Sequence, residues 1–284
     1  MTKCCYMYFS PKKREDLNNN DDNFSLKVRN TTIPRVKETR FLGVVIDEKL
    51  SWIPHIDDLA KRLKCHIGSI NRIKDNLPTQ LHKQIYHTLF ESHLTYGITV
   101  WGGVSPKKLE PLLRLQKKCL RILFGDKEVY LNKFKTAARC RLFGSQSLGA
   151  EFFARENSKP LFNSHTIMTL HNLYTYHITQ EAFKILKFRT PISLYSLFTR
   201  SARKDTLLIK PQSSHHFISN AADLWNLVRQ KLQVVDLSLT KIGAFKVAVK
   251  SLILKYQKIG DLSVWNDNEL DIRQAVTYNC LPDF

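Results

Sequence analysis

Ile56, Leu59, Ala60, Leu63, Ile67 and Ile70 recur at i, i+3, i+4, i+7, i+11 and i+14. That is the stripe of an amphipathic helix. Just before it stands RFLGVVI, Arg40 to Ile46, an apolar run suited to a buried strand. Gly43 within that run would let another backbone or a ligand approach closely. The period therefore changes from strand to helix near Pro54, and it stays helical over most of the downstream chain. A chain patterned in this way is confined to the α+β class, with its strands gathered at the N-terminal end.

The upstream residues fit that division. Cys4 to Phe9 is β-prone, and Asp16 to Asn23 is a polar, acidic loop with three successive asparagines. Phe24–Val28 and Thr31–Val36 flank Arg29-Asn30 as a hairpin. Downstream, Leu77-Pro78 ends the first helix and starts a second, Thr79 to Leu94. After Gly102, Gly103 and Pro106 a third runs from Lys107 to Phe124 and stops at Gly125. Asp126 to Pro160 is less periodic and rich in Lys, Arg, Gly and Phe. Helical patterns resume over His165–Phe188, Asn220–Leu232 and Leu239–Lys258, with Ser201–Ser214 as a basic loop between them. The expected layout is a small β-hairpin region over 1–48, a helical region over 49–125, a basic connector over 126–163 and a helical C-terminal region over 164–284.

Charge bears on partners rather than on fold. The 284 residues carry 44 Lys and Arg against 25 Asp and Glu, a formal net charge of +19. Nucleic acid is the commonest partner of a folded, aromatic-rich chain this basic. The cysteines (Cys4, Cys5, Cys65, Cys119, Cys140 and Cys280) form no C-x-x-C pair, which disfavours zinc. Their scatter suits a reducing compartment. Met1 to Ser10 reads as neither a signal nor a transit peptide. No apolar run approaches the roughly 20 residues that span a bilayer, so no membrane partner is expected.

The string TRFLGVVIDEKLSWIPHI, Thr39 to Ile56, holds Phe41, Leu42, Gly43, Val44, Asp47, Leu50, Trp52 and His55. It resembles the segment after the palm in non-LTR retrotransposon reverse transcriptases of the jockey-like type, where F-L-G-V is followed by D-x-x-L-x-W-x-x-H. Further matches come in the family's order. They are Leu77-Pro78, LTYGITVWG from Leu94, LQKKCLRILFG from Leu115, KPLFN from Lys159 and Leu224-Trp225-Asn226. KCCYMYFSP, with Lys3, resembles the strand that comes after the catalytic turn.

The resemblance implies a place beside an active site. In that family the F-L-G hairpin is the primer grip, so Phe41, Leu42 and Gly43 would hold a primer's 3′ end. The helices after it would form the thumb against a primer–template duplex. Read without the resemblance, Phe41 and Leu42 are equally well core residues of an ordinary strand.

Family catalysis needs palm aspartates that hold two magnesium ions. This chain offers Asp21-Asp22 in a polar loop and Asp57-Asp58, read as the first turn of a helix. Neither sits at a strand turn. The expectation is therefore a chain without catalytic or metal-binding residues, needing no cofactor by itself, with Mg2+ belonging to the intact family enzyme. The missing palm and fingers are then a natural partner, and a nuclear location is implied.

One surface stands out. Lys107, Arg114, Lys117, Lys118 and Arg121 form a cationic stripe opposite the leucines of the third helix. A stripe like this would track the phosphates of an RNA–DNA or DNA duplex without reading bases. Lys127, Lys133, Lys135, Arg139 and Arg141 extend the field. The ten histidines show no acid–base or metal spacing. Two other functions fit the same residues: a host-adopted basic nucleic-acid-binding helical protein, and a translated relic without function.

Overall fold

The computed structural model describes residues 4–9, 25–28, 31–125, 158–200, 208–209, 216–232 and 241–259. Asp21-Asp22, the basic cluster of 127–141 and Lys3 lie outside them. The architecture is α+β, as the change of period requires: short antiparallel hairpins precede a mainly helical body.

The first hairpin pairs β1 (Lys27–Val28) with β2 (Thr31–Thr32). The second pairs β3 (Glu38–Phe41) with β4 (Val44–Asp47). RFLGVVI is thus not one buried strand. The chain reverses at Leu42-Gly43, with Phe41 opposite Val44. Both turn residues have positive φ, 46° and 81°, which is the two-residue hairpin turn whose twist matches the flanking strands. Cys4–Phe9 forms no strand either. It meets the hairpin region through a parallel bridge between Tyr6 and Arg35, a contact of Cys5 Sγ with Thr39 Oγ1 at 3.8 Å, and the Arg35 guanidinium over the Tyr8 ring.

Helix α1 (Ile53–Ile73) buries the whole predicted stripe together with His55. α2 (Thr79–Ile85) runs into a π-helical segment, Tyr86–Glu91, and then α3 (Ser92–Thr95). Tyr86 and Phe90 in the π segment are both fully buried and stacked at 5.7 Å. The short α4 (Ile98–Trp101) leads to α5 (Pro106–Phe124), which packs along α1. Leu59, Leu63 and Ile70 on α1 and Leu109, Leu112 and Leu120 on α5 are at most 1% exposed. Each such side chain contributes about 2–3 kcal/mol by leaving water.

The second half is built on α7 (Leu170–Phe188), preceded by α6 (Lys159–Ser164). The helix expected from His165 starts instead at Leu170, because the Thr169 hydroxyl caps it by accepting from the Asn172 amide. After α8 (Ile192–Tyr195), β5 (Thr199–Arg200) pairs with β6 (Leu208–Ile209). α9 (His216–Leu232) and α10 (Ile242–Ile259) then pack on α7, with Phe183 stacked on Phe245 at 4.1 Å and Trp225 beside them. Buried side chains from Ile56 to Ile253 belong to one contiguous core.

Two buried glutamines hold the start of the second half, and Gln116 also ties it to the first. Gln116 of α5 donates to the Tyr86 hydroxyl and the Met168 carbonyl, and accepts from the Leu170 amide. Gln257 of α10 donates to the Ile167 carbonyl and accepts from Thr169 N and Asn172 Nδ2. Both therefore fix the bend that leads into α7 by giving its backbone groups partners in the dry interior.

Candidate nucleic-acid interface

The β3–β4 hairpin is held on the helices by contacts from its tip to its base. At the tip the Tyr96 hydroxyl donates to the Leu42 carbonyl at 2.6 Å. Gly43 lies against the same ring, and a Cβ there would stand 3.3 Å from Cε1. Gly97, at φ 63°, lets Val44 pack in, since its own Cβ would meet Val44 Cγ2 at 3.3 Å. The Trp101 indole donates to the Tyr96 carbonyl at 3.0 Å and fixes that turn.

Along the strand, the Val45 amide donates to His55 Nδ1 at 3.3 Å, which places the ring proton on Nε2. Burial first, and nearby Arg62 next, hold His55 below its ordinary pKa, so it stays neutral and can accept. At the base Asp47 accepts from the Ser51 and Trp52 amides, both at 3.0 Å. Burial alone would raise its pKa. The Ser51 and Trp52 bonds outweigh that and leave it below 3.8. Asp58 bridges Arg40 on β3 and Arg62 on α1, each at 3.0 Å.

The F-L-G-V, D-x-x-L-x-W-x-x-H and Y-G-x-x-x-W strings thus serve one local structure. Asp47, His55, Gly97 and Trp101 seat the hairpin, and the tip they present is exposed. Phe41 is 62% and Leu42 74% solvent-accessible. Neither is a core residue of a strand. Tyr96 and Val100, also exposed, continue this apolar edge.

Helix α1 starts at Ile53, so Asp57 and Asp58 lie beyond its first turn, contrary to the sequence expectation. Asp58 is committed to its two arginines. Among the described residues no group of three or more His, Cys, Asp or Glu could hold a metal ion.

On α5 the stripe divides. Lys107, Arg114 and Lys118 are exposed and Lys117 is half-buried. The Arg121 guanidinium donates to Ser158 Oγ at 2.8 Å, which ties α5 to the start of α6. Arg114 pairs with Glu110 at 2.9 Å on its own helix. Sequence spacing did not show what faces the stripe. Lys61 and Lys64 of α1 stand across from Arg114 and Lys118, and together they line a groove of about 440 Å³. Ala60, Pro111 and Leu115 complete it, with Asp57 as its acidic member. Among the described residues Lys61, Lys64 and Lys118 make no ion pair. A basic face on each of two packed helices was the available signal, but only the α1–α5 contact brings the faces together.

Hairpin, helices and groove define a basic α+β unit that presents an apolar turn at one edge and a cationic groove between two helices. Over 103 residues the chain is 23% identical to the probable RNA-directed DNA polymerase from transposon X-element of Drosophila melanogaster, a stretch covering 34% of this chain and 11% of that protein. The similarity relates the chain to reverse transcriptases of mobile elements. No protein-family profile matches the chain, and no solved structure does. No helix among the described residues is long and apolar enough to cross a membrane.

Proposed function

We propose that this chain is the post-palm part of a jockey-like, non-LTR reverse transcriptase, contacting primer–template nucleic acid without the catalytic aspartates. The observation that carries the reading is the Leu42-Gly43 turn, held out by Tyr96 with Phe41 and Leu42 facing solvent. A grip on a primer end needs a rigid, exposed turn whose backbone can come close to sugar and phosphate, and this turn meets both conditions. The similarity to a transposon polymerase supports the same class. Helix α5 contributes phosphate contacts through Lys107, Arg114, Lys117 and Lys118. Arg121, held by Ser158, positions the helix.

The partners are an RNA–DNA or DNA duplex and the remaining polymerase portion, and the setting is nuclear. The test is hybrid binding by the purified chain and by Phe41→Ser/Leu42→Ser, together with nucleotide incorporation in magnesium. Weaker binding by the tip variant and no incorporation are expected. Incorporation above background, or a tip variant that binds as well as the parent, would reject the assignment.

A further inference from the structure

The groove between α1 and α5 combines features that a solvated charged face lacks. Its walls come from two helices, each offering two cations within about one 5.4 Å turn: Lys61 and Lys64 on one, Arg114 and Lys118 on the other. Its remaining lining includes apolar Ala60, Pro111 and Leu115. Pro111 stands inside α5, where a missing amide and a crowding ring cost a helix about 3 kcal/mol. A local rule is thus broken at the groove itself, as happens at functional sites. Lys61, Lys64 and Lys118 are exposed and make no ion pair among the described residues, and cations in a cleft attract anions over several ångströms.

We propose, resting on the nucleic-acid role above, that this groove holds one sugar–phosphate strand. The four cations flank successive phosphates from both sides, and the apolar surface meets the sugars. Lys61 and Lys64 are phosphate-binding residues on equal footing with Arg114 and Lys118. A polymer with regularly spaced anions suits this geometry better than a lipid surface does. A flat bilayer reaches the rim of a concave groove but not both of its walls. Contacts to phosphates and sugars carry no sequence information, so this binding is indifferent to sequence.

The experiment measures binding of the full chain to a labelled RNA–DNA hybrid over a range of salt concentrations. Lys61→Gln/Lys64→Gln is compared with Lys241→Gln/Lys250→Gln, an equal charge change at exposed positions on and just before α10. Lys118→Gln probes the opposite wall. Vesicles containing anionic lipid serve as a second ligand. The groove pair should weaken hybrid binding about tenfold and lower the salt slope by about 1.8, with Lys118→Gln giving about half that slope change. Lys61→Arg/Lys64→Arg should restore the parent's binding. The α10 pair should change affinity less than about threefold.

Equal weakening by both pairs, or by neither, overturns the groove assignment while the nucleic-acid role stands. Loss of vesicle binding with hybrid binding intact overturns it in favour of a lipid surface. A parent chain that binds no hybrid removes the role and the groove assignment together.

Discussion

The Tyr96 hydroxyl donates to the Leu42 carbonyl at 2.6 Å, across 54 residues of chain. This bond fixes a turn that would otherwise be costly, because Leu42 sits at φ 46°, where a side chain other than glycine loses about 1–2 kcal/mol. Tyr96→Phe removes the bond and keeps the ring. It should cost about 0.5–1.5 kcal/mol, read as a lower denaturant midpoint with faster amide exchange at 41–45 and little change in the α1 core. Unchanged exchange at the tip would show that the bond does not hold the turn.

Gly97→Ala should be worse. The residue needs φ 63°, and its new Cβ would press on Val44 Cγ2 at 3.3 Å. The expected loss is about 2 kcal/mol, combining left-handed strain and displacement of Val44. Thermal or urea unfolding measures it, and a stabilised variant would contradict the packing described.

Gln116→Leu removes the partners of the Tyr86 hydroxyl, the Met168 carbonyl and the Leu170 amide at once. Buried polar groups without partners cost about 1–3 kcal/mol each, so a loss of about 3 kcal/mol or more is expected in denaturant unfolding. A neutral result would mean that the bend into α7 is fixed elsewhere. A chain with this network should also show amides in α1, α5 and α7 protected close to the global unfolding free energy. A partly folded relic would protect none of them beyond single helices.

Acid should destabilise the fold in two stages. Burial holds His55, His93, His165 and His177 below the ordinary value of 6.5. A depressed folded pKa means that the unfolded chain binds the proton first. Stability is therefore fully present above 6.5 and falls as pH drops through the folded values. Asp47 adds a second loss, beginning below its unfolded value of 3.8. Urea midpoints at about pH 7.5 and about pH 5.5 should differ with the lower pH less stable, and equal midpoints would contradict the burial of these rings.

Thiol labelling should separate the cysteines. Cys65 is exposed, whereas burial pushes the Cys119 thiol to about 12. Maleimide should reach Cys65 in the native chain and Cys119 only in denaturant.

The helical body was legible because a period of 3.6 is written along α1 and α5, as in Ile56, Leu59, Leu63 and Ile67. The β3–β4 turn was not legible from pattern alone. Leu42-Gly43 is apolar on both flanks and lacks the Asn-Gly or Asp-Gly signature of such turns, and its anchor Tyr96 is remote in sequence. The π segment at Tyr86–Glu91 brings Tyr86 and Phe90 into one core, a tertiary demand with no local mark. The same holds for the groove. Arg114 and Lys118 are visible as a stripe, but Lys61 and Lys64 join them only through the packing of α1 on α5. Arg121 belonged to the stripe by spacing alone, and its bond to Ser158 turns it inward to α6.

A grip on the sugar–phosphate backbone of nucleic acid is the central claim. Its most direct measurement is the affinity of the purified chain for an RNA–DNA hybrid as salt is raised from about 50 to about 200 mM. The predicted result is tight binding at low salt and a steep linear fall of log affinity with log salt, by about 0.9 per phosphate contacted. No binding at low salt, or an affinity that salt leaves unchanged, would contradict it.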